Sequence, residues 1–438
     1  MPRPATRRQL LRSAGALAAL GTVGAGGFVV SRRHAESGER VIPLWSSTVA
    51  YARDGQRVLV GGRGVPLDLA AGTRCAADLP QDSPVRERAA QFTDAAAPWL
   101  ARVERALGAE RAELGRSALA DLWVLSDGLP APVAGWSESW RYVWPRDTAF
   151  CAVALARVGL VEQARAWLTH VQTWQEADRW FPARLDPVHG RAPDDRPRQF
   201  DGTGLLLWAA TEVIAASARS DRADVAQRLG ALTSRSLAAL QQATAGGTGF
   251  PPVSPDYWEL PEQRRTLGIM TCTLTGLRAG AELTGEARDM EAAEAFTALL
   301  LRSFGAAGFP RHRHGGGADS ALAFLDATGV HDVASIEQLR ALRETLARPA
   351  GGIAPGARWR QDGVSWTPST SLLGLALARA GDPDSAGEIL DWLAAHRTEH
   401  GSLPEKVLFD GRPAEVAPLA WTAANVLITL DELVQARP

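Results

Sequence analysis

The chain has 438 residues, 46% of them hydrophobic and 22% charged, with a formal net charge of -2. That is the composition of a soluble globular protein with apolar material for a large core, and near-neutral charge gives no basis for nucleic acid or an acidic membrane surface as partner. Tryptophan is the outlier, with 15 Trp against 3 Tyr and 11 Phe.

Taken in chain order, residues 1–33 read as an export segment. Thr6-Arg7-Arg8-Gln9-Leu10-Leu11 has the form of a twin-arginine signal, and an uncharged, Ala/Gly-rich run follows from Ser13 to Ser31. Arg32-Arg33 after that run leaves two outcomes open, release outside the cell or an uncleaved amino-terminal membrane anchor facing outward. Residues 34–84 form a second unit, a short β-like segment and connector. Within it Val58-Leu59-Val60 reads as extended, Asp54-Gly55 as a hairpin turn, and Asp78 to Pro84 as a polar connector. Cys75, Cys151 and Cys272 are odd in number and widely spaced, which argues against a disulfide framework or a zinc site and predicts two buried thiols and one loop thiol.

From residue 85 to the end, Ala/Leu/Arg segments carry apolar residues at three- and four-residue spacing. The pattern predicts helices near 86–107, 110–126, 147–158, 161–177, 202–219, 222–243, 263–284, 287–304, 334–346, 367–380, 383–398 and 418–435. Short turns join most of them in pairs, and no sequence repeat of fixed period marks a solenoid. Six helical hairpins in a ring make an all-α, double-layered (α/α)6 barrel with one helix of each pair inside. The unusual residues cluster where helices begin. Trp144, Arg146 and Asp147 open the third, and Gln199 and Asp201 the fifth. Asp256, Trp258 and Glu259 precede the seventh, Trp366 precedes the tenth, and Glu405 and Trp421 lie at the approach to the last. Entered from one end, these helices bring their loops to one mouth.

Flat aromatic faces cover the apolar faces of a sugar ring, and an Arg-Asp pair can donate to and accept from its hydroxyls. The segment Trp136 to Asp147 supplies both. Acetal hydrolysis needs one carboxylic acid to protonate the leaving oxygen and one carboxylate to activate water or attack. Glu259, set among aromatics, and Glu405, in the Pro-fixed run Leu403-Pro404-Glu405-Lys406, are the two candidates. The plain alternatives are a helix N-terminal carboxylate for Glu259 and a surface ion pair with Lys406 for Glu405. Trp136 to Asp147 can likewise be read as a buried aromatic cluster with a structural salt bridge.

Trp144-Pro145-Arg146-Asp147, Asp256-Tyr257-Trp258-Glu259 and Leu403-Pro404-Glu405 resemble, in order and spacing, the motifs of the glucoamylase-like glycoside hydrolases (family 15). The resemblance runs from about Trp136 to the carboxyl end. It includes Arg198-Gln199-Phe200-Asp201-Gly202 and Pro418-Leu419-Ala420-Trp421-Thr422. It implies an (α/α)6 barrel and inversion at the anomeric carbon, with Glu259 as general acid and Glu405 as general base. It also implies that Arg146 and Asp147 hold the terminal glucose with Trp144 against its ring. Asp256 would line the acid's neighbourhood, and Arg360 or Arg358, before Trp366, would match a further substrate-binding arginine.

Two departures bear on substrate. Leu260 stands where the starch-degrading relatives carry a second glutamate for the leaving sugar, and residues 41–69 are too short for the amino-terminal β-sandwich of many bacterial relatives. Small or α-1,6-linked glucosides are therefore as well supported as starch. Neither metal nor cofactor is expected, and the partner is an oligosaccharide or small glucoside acted on by a monomer. Arg311-His312-Arg313-His314-Gly315 reads as a flexible polar loop rather than a metal or phosphate site. Asp127 and Glu138 read as solvent-exposed carboxylates. A phosphorylase on the same barrel and a non-catalytic sugar-binding envelope protein remain the rival functions.

Overall fold

The computed structural model describes residues 42–437, so the twin-arginine segment and the question of its cleavage lie outside the described residues. A hairpin of β1 (Thr48–Tyr51) and β2 (Arg57–Val60) comes first, antiparallel, with its turn at Asp54-Gly55. Gly55 has φ +76°, the left-handed backbone such a turn favours in glycine. Val49, Tyr51 and Cys75 sink into the helical core beneath it, so the loop thiol is buried, as are Cys151 and Cys272.

Helices α1 (Pro84–Leu107) and α2 (Ala109–Ser126) follow. Inner and outer helices then alternate. α3 (Pro145–Arg157) is inner and α4 (Val161–Val171) outer. α5 (Asp201–Ala216) is inner, and α6 (Arg222–Arg228) with α7 (Gly230–Ala243) is outer. α8 (Leu267–Thr284) is inner and α9 (Ala287–Ser303) outer. The five-residue α10 (Ala323–Ala327) is inner and α11 (Ile336–Thr345) outer. α12 (Thr367–Arg379) is inner, α13 (Pro383–Ala395) outer, and α14 (Ala420–Gln435) inner. Each inner helix packs on the next, and α14 returns to α3, which closes a six-membered ring.

Burial shows why each helix takes its layer. Every residue of α3 from Pro145 to Ala156 is buried, as is every residue of α5 from Asp201 to Ala210. α4 buries only Ala164, Trp167, Leu168 and Val171, the single stripe of an amphipathic helix. Small residues let the inner helices touch through their backbones. A Cβ on Gly204 of α5 would lie 2.0 Å from the Cys272 carbonyl of α8, and one on Gly276 would lie 2.5 Å from Gly204 Cα. Proline in the first turn starts α3, α12 and α13, where its missing N–H costs nothing.

Two expectations need correction. α1 and α2 do not form a hairpin with one helix inside. Both lie outside, α2 on α14 and α1 across both. The inner helix thereby lacking is α10, entered through a 3₁₀ turn at Ser320–Leu322. Its run is buried on all sides and too short to show a period. Likewise Pro310–His312 (β3) and Gly315–Ala318 (β4) form an antiparallel hairpin with Arg311 and His312 buried, not a flexible loop. A last sheet orders β5 (Ser365–Trp366), β6 (Lys406–Val407) and β7 (Pro413–Ala414) edge to edge above α12.

Candidate active site

The inner helices begin at one end, and the sequence-predicted residues gather there in three groups. The first is centred on Arg146, at the start of α3. Its Nη1 donates to Gln199 Oε1 at 3.1 Å and Asp201 Oδ2 at 3.0 Å. Its Nη2 reaches Glu259 Oε1 at 3.3 Å and Asp147 Oδ2 at 3.2 Å, and its guanidinium lies 5.1 Å from the Trp421 ring. Trp144 Nε1 donates to the same Glu259 oxygen at 3.1 Å. Trp144, Arg146, Asp147, Gln199, Asp201, Glu259 and Trp421 thus form one network. Asp147 and Asp201 lie in the first turns of α3 and α5, where the helix dipole favours carboxylates.

Burial governs the electrostatics of this group. It pushes the Asp147 carboxyl up to about 6 despite Arg146, with the charges of Glu259 and Asp201 adding to the rise. Asp201 is likewise pushed up to about 6 by burial, against Arg146 and with Asp256 adding. Burial disfavours the Arg146 cation as well, yet Asp147, Asp201 and Glu259 together hold it above its ordinary value.

The second group places Glu259. Asp256 is fully buried and accepts from the Trp258 amide at 3.0 Å, while its carbonyl accepts from the Glu259 amide at 2.8 Å. This tight turn sets Glu259 at φ +58°, a left-handed backbone that costs a non-glycine residue about 1 kcal/mol. Arg311 grips the turn from below. It binds both Asp256 oxygens at 3.1 and 3.2 Å, Glu262 at 2.5 Å and Asp319 at 2.9 Å, and stacks 3.5 Å from the Trp258 ring. Tyr257 completes the frame through Asp319 at 2.5 Å and the Pro355 carbonyl at 2.9 Å. Asp256 and Trp258 therefore support Glu259 from beneath, and their side chains are committed to Arg311.

The third group carries Glu405. Its amide donates to the Val416 carbonyl at 2.8 Å, and its own carbonyl accepts from the Thr367 amide at 3.0 Å at the start of α12. The ladder pairs Trp366 with Lys406, and Lys406 Nζ sits 4.4 Å from the Trp366 ring. Lys406 also lies 3.3 Å from the Glu405 carboxylate. Both side chains are more than nine-tenths buried, so the expected surface ion pair is an interior one. Trp366 meets Trp359 edge-on at 5.1 Å, and Trp359 meets Trp258 at 4.9 Å, which joins the second group to the third. Arg360 stands at the exposed edge of these tryptophans, 5.8 Å from the Trp359 ring.

Sequence reasoning did not find Arg196, Arg311, Tyr257 or Asp319. Arg196 lies in a charged, Pro-containing run that reads as solvated, yet its Nη1 donates to Glu259 Oε2 at 3.1 Å. Asp319 precedes the unread α10. Asp127, expected to be solvent-exposed, is instead a buried acceptor. It accepts from Tyr51 Oη at 2.7 Å and from Arg88 at 2.7 and 2.8 Å, and its side chain is only 5% exposed. Glu138 is exposed as expected.

No family model and no curated sequence matches the chain. Among solved structures, a glycosidase in complex with glucose superposes with a TM-score of 0.62 at 22% identity, covering 77% of this chain and 98% of that one. A bacterial glucoamylase complexed with acarbose gives 0.56 at 15% identity, covering 74% and 55%. The glucoamylase from Saccharomycopsis fibuligera gives 0.56 at 14% identity, covering 75% and 96%. The fold is the (α/α)6 barrel of these glycosidases and glucoamylases.

Proposed function

We propose that the protein is an inverting, exo-acting α-glucoside hydrolase that releases glucose from non-reducing ends of small or α-1,4/α-1,6-linked glucosides. The observation that carries this reading is the delivery of Glu259 and Glu405 to the start of the inner helices, each on a loop fixed by main-chain hydrogen bonds and each beside tryptophans. Glu259 donates a proton to the glycosidic oxygen and Glu405 draws one from the attacking water, the division of labour of inverting enzymes. Arg146 and Asp147 hold hydroxyls of the terminal glucose. The oxygen of Asp147 that faces Arg146 at 3.2 Å makes no aligned hydrogen bond among the described residues, so a hydroxyl donor has an acceptor there. Trp144 and Trp421 supply the ring faces.

Removal of one glucose at a time requires a site closed at the far end of the barrel. The far ends of the inner helices fit that picture. Arg379 donates to Glu432 at 2.8 Å and to the Ala327 carbonyl at 3.0 Å, and Arg157 donates to Glu212 at 2.8 Å. With Arg157 also 3.5 Å from Glu432, those contacts tie α3, α5, α10, α12 and α14 together. The leading residues 1–33 route the protein out of the cell by the twin-arginine path in this reading.

The test is proton NMR of the protein incubated with maltose, isomaltose, trehalose, maltotriose, starch and dextran. Immediate β-glucose from an α-linked member is the expected result. First release of α-glucose would exclude inversion, and turnover only with added phosphate would make the protein a phosphorylase.

A further inference from the structure

The two oxygens of Glu259 face different partners. Oε1 accepts from Trp144 Nε1 at 3.1 Å and Arg146 Nη2 at 3.3 Å, both fixed at the start of α3. Oε2 accepts from Arg196 Nη1 at 3.1 Å. Arg196 belongs to the segment between Leu185, which bridges to Val143, and Gln199. Its Nε is held by Asp194 Oδ1 at 2.9 Å. Arg184 holds Asp194 Oδ2 at 2.6 Å and lies 4.2 Å from the Tyr142 ring.

A guanidinium has N–H donors and no acceptor. A carboxylic acid that is to give up a proton needs its O–H aimed at an acceptor. Oε1 faces two donors on a rigid helix start, so the transferable proton belongs on Oε2. In the free protein that position is covered by a third donor. We propose that Arg196 is a positioning residue: it caps Oε2 of Glu259 in the free protein, and the entering leaving group displaces it so that Oε2 can carry the proton to the glycosidic oxygen. The proposal rests on Glu259 being the general acid. Once Arg196 has moved, Oε2 takes a proton from solvent; in the reaction the Oε2–H bond breaks, the proton goes to the glycosidic oxygen, and the electron pair of the breaking C–O bond stays with that oxygen.

The local construction suits such a movement. The Arg196 side chain is 32% exposed, against 6% for Arg146. Asp194, anchored by Arg184, retains Arg196 through Nε when its tip leaves Glu259. Leu260, the next residue along, is one of the few exposed large apolar side chains, so it offers no competing charge on that side. The charged groups facing Glu259 are Arg146 and Asp147 on α3, Asp201 on α5 beyond Arg146, and Arg196 with Asp194 on their own segment.

The test compares the wild-type protein with Arg196→Gln. Carbon-13 NMR of glutamate-labelled protein follows the Glu259 carboxyl, assigned by its loss in Glu259→Gln. Removal of the cation that faces Oε2 should move the pH dependence of that signal upward. The alkaline limb of kcat/KM, which reports the free enzyme, should move up with it, and that of kcat should stay. Arg196→Lys should bring both profiles back toward wild type. An unchanged carboxyl midpoint in Arg196→Gln would overturn the proposal, and so would equal movement of the kcat limb, since Arg196 would then remain on Glu259 in the complex. A wild-type protein inert toward every α-glucoside would sink the reading of the function instead, and the carboxyl titration would still decide the Arg196 contact.

Discussion

The two ends of the barrel use the same residue types for opposite ends. At the far end Arg157 and Arg379 terminate α3 and α12, where cations oppose the helix dipole favourably. They bind Glu212 and Glu432 within 4 Å, with Asp431 3.7 Å from Arg157. Asp431 accepts there from Trp99 at 3.0 Å as well. At the near end Arg146 and Arg311 also gather carboxylates, but they leave Asp147 with an unaligned oxygen, raised by burial, and Glu259 with a backbone in the left-handed region. Both ends leave a buried polar atom unaligned, Arg379 Nη2 at the far end and Asp147 Oδ2 at the near one, but the near end adds the left-handed backbone of Glu259, the kind of strain that gathers at ligand sites.

The sharpest way to test that contrast is to remove a charge from each end. Glu405→Gln should lower turnover by about a thousand-fold or more while sugar binding, read by isothermal titration, persists. Retention of most of the rate would remove Glu405 from the role of base. Arg379→Met should do the reverse. It takes from Glu432 its 2.8 Å donor and leaves that carboxylate Arg157 alone at 3.5 Å, and should cost up to about 3 kcal/mol in urea unfolding with kcat unchanged. If it lowered kcat as strongly as stability, the two ends would not be independent.

A finer test uses pH. Asp147 rises from 3.8 to about 6 on folding, through burial, so the folded protein binds that proton more readily than the unfolded chain. Stability from this group is therefore highest below 3.8, falls as pH rises toward about 6, and stays at the lower level above. Asp147→Asn should flatten that fall by up to about 2 kcal/mol, measured by urea unfolding at pH 4 and pH 7.5; an equally steep fall would show that Asp147 does not carry it. The smallest effect should come from Glu138→Gln, on the exposed face beside the same tryptophans. Stability should change by less than about 0.5 kcal/mol and glucose release not at all, and a large loss of activity would place Glu138 in the site.

The amino-acid sequence determined the barrel's material and the location of its working end. Inner helices such as α5 read as apolar on all sides because no face of them meets water, and outer ones such as α4 keep a single stripe. Charged and aromatic residues at the starts of α3 and α5, and just before α8, α12 and α14, were legible because polar residues beside such apolar runs are conspicuous. Tertiary structure alone decided the rest. α10 is too short to announce itself by period, so its place in the ring and the role of Asp319 before it follow only from its neighbours. Arg311 is buried because three carboxylates converge on it, Asp319 from nearby in the chain and Asp256 and Glu262 from one loop 55 and 49 residues away, a neutralisation invisible along the chain. Arg196 lies 63 residues from Glu259 in a run that reads as solvated, and only the fold brings its guanidinium to that carboxylate.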